Sequence, residues 1–327
     1  MDVLVTGATG FVGRAAVGAL RAEGHRIRAL CPRGIEAPEG TDGVPGDISD
    51  EPSVRAAAEG CGAVVHLARV DDPRTPLADA ERINLIGAEN VLAAAREAGV
   101  KRLVHLSTEA VTRGREPRSY VDEKYPQPAR FLDAVSETSA LAEDLVTAAS
   151  GGGIETVVLR PGVIWGAGDD DFLPRLLRRV RAGALSWVDD GRALIATTYI
   201  DNLSLALRLA VTAPDAAGGV FYVTDDERTS RREFVGNLLR AAGAPVPRGS
   251  LPYGLAYALA WLSETLGRAP PGMRAEVVAE GRSAHFNIQR ARAALGYAPA
   301  VSVAEGTKRV GAWVAERGGW EALAGAS

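Results

Sequence analysis

A glycine-rich turn between an apolar strand and a helix opens the chain and limits its fold more than any other feature. Residues 3–5 form a short apolar run typical of a buried strand, and residues 6–13 follow with three regularly spaced glycines. Gly7 permits a tight turn, Gly10 lets the backbone approach a pyrophosphate, and Gly13 allows the helix to pack closely on its strand. The free N–H groups of the helix N-terminus favour an anion there. This order of strand, turn and helix therefore predicts a dinucleotide-binding site.

The alternation of strands and helices continues through the first half of the chain. Apolar runs predict further strands at residues 27–31, 63–67, 103–107 and 156–159. Helical patterns lie between them at residues 51–59, 78–98 and 131–149. Such alternation favours an α/β fold with a Rossmann-type, doubly wound parallel sheet. Ligands of such sheets bind at the carboxyl ends of the strands.

Composition excludes several classes of protein. The 327 residues are 46% hydrophobic and 24% charged, which fits a globular chain, and the net charge of −4 offers no basic field for nucleic acid. The two cysteines cannot form a disulfide framework, and no apolar run reaches the ~18 residues of a membrane-spanning helix. Residues 1–13 leave no room for a signal peptide. We expect a cytoplasmic protein with a small-molecule substrate, no transmembrane segment and no metal site.

Short motifs along nearly the whole chain resemble those of extended (atypical) short-chain dehydrogenases/reductases. The motifs are residues 6–13, Gly46-Asp47, His66-Leu67-Ala68, Leu106-Ser107-Thr108, Leu159-Arg160-Pro161-Gly162, Trp165-Gly166, Tyr199-Ile200-Asp201-Asn202, Val223-Thr224-Asp225 and Leu295-Gly296-Tyr297. The likeness is greatest to the NAD-dependent epimerase/dehydratase family, in its hydroxysteroid dehydrogenase/isomerase-like branch. It implies a Rossmann domain over residues 1–162 and a smaller, mainly substrate-binding region over residues 163–327. Segments near 197–212 and 290–317 are expected to return to the Rossmann lobe.

The same resemblance implies which residues hold a nicotinamide cofactor. The expected cofactor-binding residues are Gly7, Thr9, Gly10, Phe11, Val12 and Gly13 in the turn, Asp47 and Ile48 beside the adenine, Ala68 beneath the cofactor, and Pro161. His66 lies within an apolar strand and is predicted to be a packed structural residue.

The end of the second strand favours NADP over NAD. NAD enzymes usually place an acid there to bond the ribose hydroxyls, but the sequence reads Leu-Cys-Pro-Arg and has no carboxylate until Glu36. Arg33 is placed to pair with a 2′-phosphate, with Arg14 beside the glycine turn assisting. We therefore predict NADP as the cofactor, with NAD as the second choice.

Three adjoining residues are candidates for the catalytic site. In the family, a Ser or Thr after the fourth strand polarises the substrate oxygen, and Thr108 matches that position. Ser107 is the second candidate for the same role. Glu109 follows directly, where some dehydratases of the family carry an acid.

The family's remaining catalytic pair, Tyr-x-x-x-Lys on one helix face, is degenerate in this chain. The literal string joins Tyr120 to Lys124, but it begins 12 residues after Thr108, earlier than in the family, and prolines follow it. Alignment through residues 142–146 instead places Val135 in the tyrosine position and Ser139 in the lysine position. Valine has no proton to give, and serine carries no charge to lower a neighbour's pKa. Tyr120 and Lys124 remain the alternative pair.

Three functions fit this pattern. The first is an NAD(P)-dependent oxidoreductase or epimerase-type enzyme acting on a hydroxyl or carbonyl of a small, rather apolar metabolite, with Glu109, Asp133, Ser136 or Glu137 replacing the tyrosine. The second is a non-redox lyase, isomerase or cyclase on the same fold. The third is a nucleotide-sensing binding protein without turnover.

The second half of the chain is expected to recognise the substrate. Trp165, Phe172 and Trp187 are candidates for an apolar wall, and the apolar helix at residues 253–266 is predicted to be buried or to line the pocket, with an interfacial anchor as the alternative. Relatives pair the helices that correspond to residues 78–98 and 131–149 across a four-helix interface, so a homodimer is expected.

Overall fold

The computed structural model describes residues 1–269 and 271–325 and has a seven-stranded parallel sheet at its centre. The strands are β1 (Asp2–Thr6), β2 (Arg26–Cys31), β3 (Asp42–Pro45), β4 (Ala63–His66), β5 (Arg102–Leu106), β6 (Arg118–Val121), β7 (Glu155–Pro161), β8 (Val163–Trp165), β9 (Trp187–Val188), β10 (Leu194–Ile195), β11 (Thr197–Tyr199), β12 (Gly219–Val223), β13 (Thr229–Ser230), β14 (Ser250–Leu251) and β15 (Ala284–Phe286). The order of strands in the main sheet is β12-β7-β5-β4-β1-β2-β3. From β1 the chain adds β2 and β3 on one side and then β4, β5, β7 and β12 on the other, which confirms the predicted doubly wound fold.

Helices cover both faces of this sheet. They are α1 (Phe11–Ala22), α2 (Glu51–Ala58), α3 (Leu77–Ala80), α4 (Gly87–Glu97), α5 (Ala134–Ala148), α6 (Phe172–Arg181), α7 (Ile200–Thr212), α8 (Arg231–Ala241), α9 (Tyr253–Thr265), α10 (Met273–Gly281), α11 (Gln289–Leu295), α12 (Val303–Glu316) and α13 (Trp320–Gly325). Helices α1 and α7 pack on one face, and α2, α4 and α5 on the other. Both faces of the sheet are thus buried, which explains why β1 and β4 are continuous apolar runs rather than alternating ones.

The helix predicted over residues 78–98 is interrupted. A π-helical stretch, Glu81–Ile86, separates α3 from α4. Within it, Asn84 is buried, accepts from the backbone N–H of Val70 at 2.9 Å and donates to the Val70 carbonyl at 3.1 Å. Asn84 thereby fixes the segment that follows β4, close to where a cavity opens.

A second core forms beside the sheet, around Trp165 and Phe234, whose rings meet edge to face at 5.0 Å. Helices α6, α8, α12 and α13 contribute to it. Of the segments expected to return to the Rossmann lobe, α7 and α11 pack against the main sheet, whereas α12 packs against α8. Strand β12, which belongs to the second half of the chain, pairs with β7 and forms one edge of the main sheet.

Helix α9 differs from its prediction. Only Tyr253, Ala256 and Ala260 on this helix are buried. The large side chains on the other side are about half exposed: Leu255, Leu259, Trp261 and Leu262, with Leu266 just beyond the helix end. The prediction of a buried or pocket-lining helix is therefore wrong, because hydrophobic composition alone does not reveal which face of a helix finds a partner. In residues 1–269 and 271–325, the helices are all too short or too polar to cross a bilayer.

Candidate active site

The parallel sheet brings most of the predicted site residues to one edge. Because its strands run in the same direction, the segments that follow them meet at their carboxyl ends. The residues gathered at this edge are Gly7, Thr9, Gly10, Phe11, Val12 and Gly13 after β1, Arg33 after β2, Asp47 and Ile48 after β3, Ala68 after β4, Ser107, Thr108 and Glu109 after β5, and Pro161 at the end of β7.

The glycine turn has the shape that a pyrophosphate requires. Gly7 has a φ of +70°, and a Cβ there would lie 2.7 Å from the Ala68 nitrogen. A Cβ on Gly13 would overlap the Gly7 carbonyl oxygen. Among residues 1–269 and 271–325, a Cβ on Gly10 would meet only the Gly7 carbonyl oxygen, at 3.6 Å, and no side chain caps the start of α1. The first N–H groups of α1 therefore remain available to an anionic ligand.

Hydrogen bonds to a buried threonine hydroxyl connect the start of this turn to the end of β4. The Thr6 hydroxyl and His66 Nδ1 lie 2.7 Å apart, and the backbone N–H groups of Leu67 and Ala68 donate to the same hydroxyl oxygen. Burial lowers the pKa of His66 to about 4, so its ring is neutral at neutral pH. The side chain is 2% exposed and joins the ends of β1 and β4.

An exposed cation lies at the end of this edge that is formed by β2 and β3. The Arg33 side chain is 74% exposed and lies 3.6 Å from the Asp50 carboxylate, a long ion pair. Asp47 accepts hydrogen bonds from the Ser49 N–H and hydroxyl, both at 2.8 Å, and these bonds lower the Asp47 pKa. Arg14 donates instead to the Thr9 carbonyl and to Asp170 at 3.0 Å, which joins the glycine turn to the loop before α6.

A cavity of about 200 Å³ opens beside Thr108 and is rich in charged residues. Six arginines line it: Arg69, Arg74, Arg113, Arg175, Arg179 and Arg231. Five acids line it as well: Asp71, Glu109, Asp171, Glu276 and Glu280. Its larger apolar side chains are Val163, Ile164, Phe172 and Leu176. Of the three aromatic residues expected to form an apolar wall, only Phe172 does so, since Trp165 and Trp187 are buried in the second core.

Thr108 keeps a hydrogen-bond donor for a ligand in this cavity. Its hydroxyl oxygen accepts from the Ala110 N–H at 3.2 Å and caps the 3₁₀ turn Glu109–Thr112. Because the oxygen is the acceptor in that bond, the hydroxyl hydrogen remains free to donate. Thr108 can therefore polarise a carbonyl oxygen that enters the cavity.

Ser107 has a different environment. Its hydroxyl donates to Glu143 Oε2 at 2.5 Å, and Glu143 forms a buried ion pair with Arg160. Its carbonyl oxygen accepts from Arg69 at 2.6 Å. Ser107 is 2% exposed and is not part of the cavity wall. Its hydroxyl joins β5 to α5.

Glu109 lines the cavity as an anion at neutral pH. Burial by itself would raise the pKa of this carboxyl group, but the charges of Arg113 and Arg118 hold the pKa at about 2. Both guanidinium groups lie 2.5 Å from its oxygens. At neutral pH Glu109 therefore has no proton to donate, and its negative charge is balanced within the protein.

The literal Tyr-x-x-x-Lys string lies outside the cavity. Tyr120 is in β6, is 56% exposed and has a φ of +56°, and its ring packs beside His285 with 5.5 Å between centroids. Lys124 is exposed in the following turn, where its N–H donates to Asp122. Because these residues belong to a strand and a turn, they do not share a helix face.

Val135 and Ser139 lie one turn apart on α5 and are 4% and 6% exposed. Asp133 begins the helix by accepting from the Ser136 N–H at 2.7 Å and from the Ser136 hydroxyl at 2.8 Å. These two polar groups are thus occupied by helix capping. Glu137 is exposed.

Sequence reasoning missed most of the charged cavity wall. Arg175 and Arg179 stand four residues apart on α6, so their shared helix face was a signal in the sequence. Arg231 and Glu280 come from α8 and α10, and no local pattern indicates that these helices meet α6. Their meeting depends on the packing of the second core.

Comparisons with known proteins agree with this architecture. The model of the 3-beta hydroxysteroid dehydrogenase/isomerase family matches residues 4–253. A 4-hydroxy-2-methyl-3-oxo-4-farnesyl-3,4-dihydroquinoline-1-oxide ketoreductase of Stigmatella aurantiaca is 37% identical over 317 residues, which cover 94% of each chain. A 2-alkyl-3-oxoalkanoate reductase of Stenotrophomonas maltophilia is 35% identical over 326 residues, which cover 95% of this chain and 98% of the relative.

A solved structure shows the same fold with a cofactor. It is a short-chain dehydrogenase/reductase superfamily protein from Agrobacterium tumefaciens with bound NAD, 25% identical, with a TM-score of 0.75 over 97% of this chain and 98% of the other. Together with the glycine turn and the parallel sheet, the matches give one conclusion. The chain belongs to the 3-beta hydroxysteroid dehydrogenase/isomerase family of extended short-chain dehydrogenases/reductases, a family of oxidoreductase and epimerase-type enzymes.

Proposed function

We propose that the protein is an NADPH-dependent reductase of a ketone carbonyl. One observation carries this function: Thr108 has a free hydroxyl donor in the cavity beside the carboxyl edge where the glycine turn lies. Two relatives are themselves named a ketoreductase and an oxoalkanoate reductase, which supports the same reaction class.

The chemistry divides between cofactor and protein. A nicotinamide held beside the glycine turn would supply a hydride to the carbonyl carbon of a ketone, and the carbonyl oxygen would take up one proton, so that the ketone becomes an alcohol. Thr108 donates a hydrogen bond to that oxygen and stabilises the negative charge that develops on it. Val135 and Ser139, in the positions of the family's tyrosine and lysine, have no suitable proton or charge, so the proton comes from water. We expect slow turnover, because a missing general acid costs about 10²–10⁴ in rate.

The proposal of NADP rather than NAD rests on Arg33. Its guanidinium is mostly exposed at the end of β2, and its ion pair with Asp50 is long, so a 2′-phosphate can take its place as partner. No acid stands at the end of β2 to accept the ribose hydroxyls.

The apolar part of the cavity supports a substrate with a hydrophobic body. Phe172 and Leu176, from one turn of α6, lie in the same wall as Val163 and Ile164 from β8. The cavity therefore combines an apolar surface with charged groups, which suits an amphiphilic ketone.

A two-stage experiment tests this function. Tryptophan fluorescence is titrated with NADPH and with NADH, and the protein is then incubated with NADPH and medium-chain ketones. We expect tighter binding of NADPH and a loss of nicotinamide absorbance that matches the alcohol formed. Substrate consumption without that loss would identify a non-redox lyase, isomerase or cyclase instead. Cofactor binding without consumption of any ketone would favour a nucleotide-sensing protein.

A homodimer is part of the proposal. Leu77, Ile86 and Leu141 are about half exposed and lie on adjoining helical segments, α3, the π-helical stretch and α5. Exposed aliphatic side chains grouped in this way are typical of a surface that a partner covers. Analytical ultracentrifugation is expected to show a dimer that Leu141→Glu dissociates, while Leu255→Glu on α9 leaves it intact. Monomeric wild-type protein would contradict this assembly.

A further inference from the structure

Arg231 is held in the cavity wall by weak contacts. It is the first residue of α8, and its side chain is 16% exposed. Within the described residues, its guanidinium meets the Ala279 carbonyl and Glu280 Oε1, both at 3.5 Å. These distances are at the outer limit of hydrogen bonding, although a guanidinium carries five donors. Arg231 is therefore a largely buried cation with little hydrogen bonding inside the protein.

The carboxylate that Arg231 approaches already accepts a shorter hydrogen bond from another arginine. Arg179 donates to Glu280 Oε1 at 2.7 Å, and this is the same oxygen that lies 3.5 Å from Arg231. Glu280 is 8% exposed and is held between the two guanidinium groups. One carboxylate thus serves two arginines, and the shorter bond goes to Arg179.

The rest of the wall does not supply the missing negative charge. Each of the other four lining acids has an arginine partner: Asp71 with Arg69, Glu109 with Arg113, Asp171 with Arg175, and Glu276 with Arg74. Six lining arginines therefore face five lining carboxylates, and the excess of one positive charge remains when the partners behind the wall are counted, Arg118 beside Glu109 and Asp72 beside Arg175. Nε of Arg113 and Nη1 of Arg175 are also buried without a hydrogen-bond acceptor in residues 1–269 and 271–325.

The surroundings of Arg231 are electrostatically unfavourable for a cation. Burial lowers the pKa of its guanidinium, and Glu280 acts in the opposite direction. The positive charges of Arg179, Arg113 and Arg175 lower the pKa further. A bound anion would relieve this repulsion.

We propose that Arg231 and Arg179 bind a carboxylate of the substrate, so that the substrate is a keto acid with a hydrophobic chain. The planar guanidinium fork matches the two oxygens of a carboxylate. A single negative charge balances the excess of one positive charge in the wall, whereas a phosphate dianion exceeds it. Phe172 and Leu176 line the same cavity and suit the chain. This assignment rests on the reductase function proposed above, because it names the substrate of that reaction.

Calorimetry with a matched pair of ligands tests the carboxylate site without relying on turnover. The probes are 5-oxodecanoate and its methyl ester, titrated into the full-length protein with bound NADP⁺. We expect the acid to bind about 10–100-fold more tightly than the ester, which is the worth of one or two charge-assisted hydrogen bonds. Equal affinities, or no measurable binding of the acid, would overturn the proposal, as would tighter binding of decyl phosphate.

Variants that are expected to lower and to raise the affinity for the acid distinguish loss of carboxylate recognition from damage to the fold. Arg231→Met is expected to remove the preference for the acid, while Arg240→Met, on the exposed side of α8, keeps it. Arg179→Met also weakens acid binding, because it removes one of the two proposed guanidinium partners and releases Glu280 to pair with Arg231. Glu280→Gln removes the competing carboxylate and is expected to strengthen acid binding. A misfolded protein would not gain affinity, so unchanged or weaker binding in Glu280→Gln contradicts the proposal.

The reductase function has its own readout in the same samples. If wild type binds the acid selectively but oxidises no NADPH with it, the carboxylate site stands and the reductase function fails. If wild type reduces the ester as efficiently as the acid, the reductase function stands and the carboxylate site fails.

Discussion

The Ser107 hydroxyl donates a hydrogen bond of 2.5 Å to Oε2 of Glu143, across the interface between β5 and α5. Glu143 in turn pairs with Arg160 at the end of β7, and all three side chains are buried. The Arg160 guanidinium also approaches the Tyr222 hydroxyl on β12 at 3.4 Å. This network occupies Ser107 and leaves the neighbouring Thr108 as the hydroxyl that faces the cavity.

Removal of the Thr108 hydroxyl is expected to impair catalysis. Thr108→Ala should lower kcat about 10²–10³-fold, because a donor to the developing oxyanion is lost. Thr108→Ser should retain most activity. Steady-state kinetics of NADPH oxidation measure the effect, and Tyr120→Phe is the control, since Tyr120 is exposed outside the cavity. Equal losses of kcat in Thr108→Ala and Tyr120→Phe would show that the alignment that places Val135, and not Tyr120, in the family's tyrosine position is mistaken.

Restoration of the family's pair is expected to accelerate hydride transfer. The double variant Val135→Tyr, Ser139→Lys places a phenol and an ammonium one turn apart on α5, which restores a general acid worth about 10²–10⁴ in rate. Overpacking at these buried positions costs about 1–3 kcal/mol of stability. Single-turnover kinetics separate the chemical step from product release. A folded double variant no faster than wild type would refute the assignment of these positions.

Arg33 is expected to decide the choice of cofactor. Arg33→Ala should weaken NADPH binding about 10–100-fold and leave NADH binding nearly unchanged, because only NADPH carries the 2′-phosphate. Fluorescence titration gives both dissociation constants. Arg26→Ala, at the opposite end of β2, is the matched control. Parallel losses for the two cofactors in Arg33→Ala would remove the basis for NADP preference.

Loss of the Glu143 carboxylate is expected to destabilise the fold strongly. Glu143→Ala leaves the buried Arg160 cation without its ion-pair partner, which costs about 3–5 kcal/mol in the free energy of unfolding. Asp144→Ala, at the next and exposed position of α5, should change stability little. Urea denaturation of the cofactor-free protein measures both. Similar stabilities of the two variants would show that the network contributes little.

The buried His66 is expected to make stability fall in mild acid. Its folded pKa of about 4 lies below the ordinary value of 6.5, so the unfolded chain takes up a proton first as the pH falls. Stability contributed by the neutral ring is complete above pH 6.5 and is lost toward pH 4, by about 3 kcal/mol.

Urea denaturation from pH 7.5 to 4 tests this pH dependence. His66→Phe should have a flatter profile than wild type. His285→Asn, a partly exposed histidine, should stay close to wild type. Identical slopes in His66→Phe and wild type would contradict the effect.

Local sequence determined the Rossmann half of the molecule. The glycines of the first turn, the apolar runs of β1 and β4, and the residue types after each strand follow from short-range rules of backbone geometry and burial. Since parallel strands end at one edge, these patterns also fixed which residues meet there. The absence of tyrosine at position 135 and of lysine at position 139 was likewise visible in the sequence alone.

Tertiary packing decided the rest. The hydrophobic composition of α9 did not predict that its leucines remain exposed, because burial depends on whether another element covers the face of the helix on which they lie. The approach of Arg231 and Arg179 to one Glu280 oxygen joins three helices distant in sequence, α8, α6 and α10. Charges that meet in this way leave no periodic signal, since only the folded second core brings them within hydrogen-bonding distance.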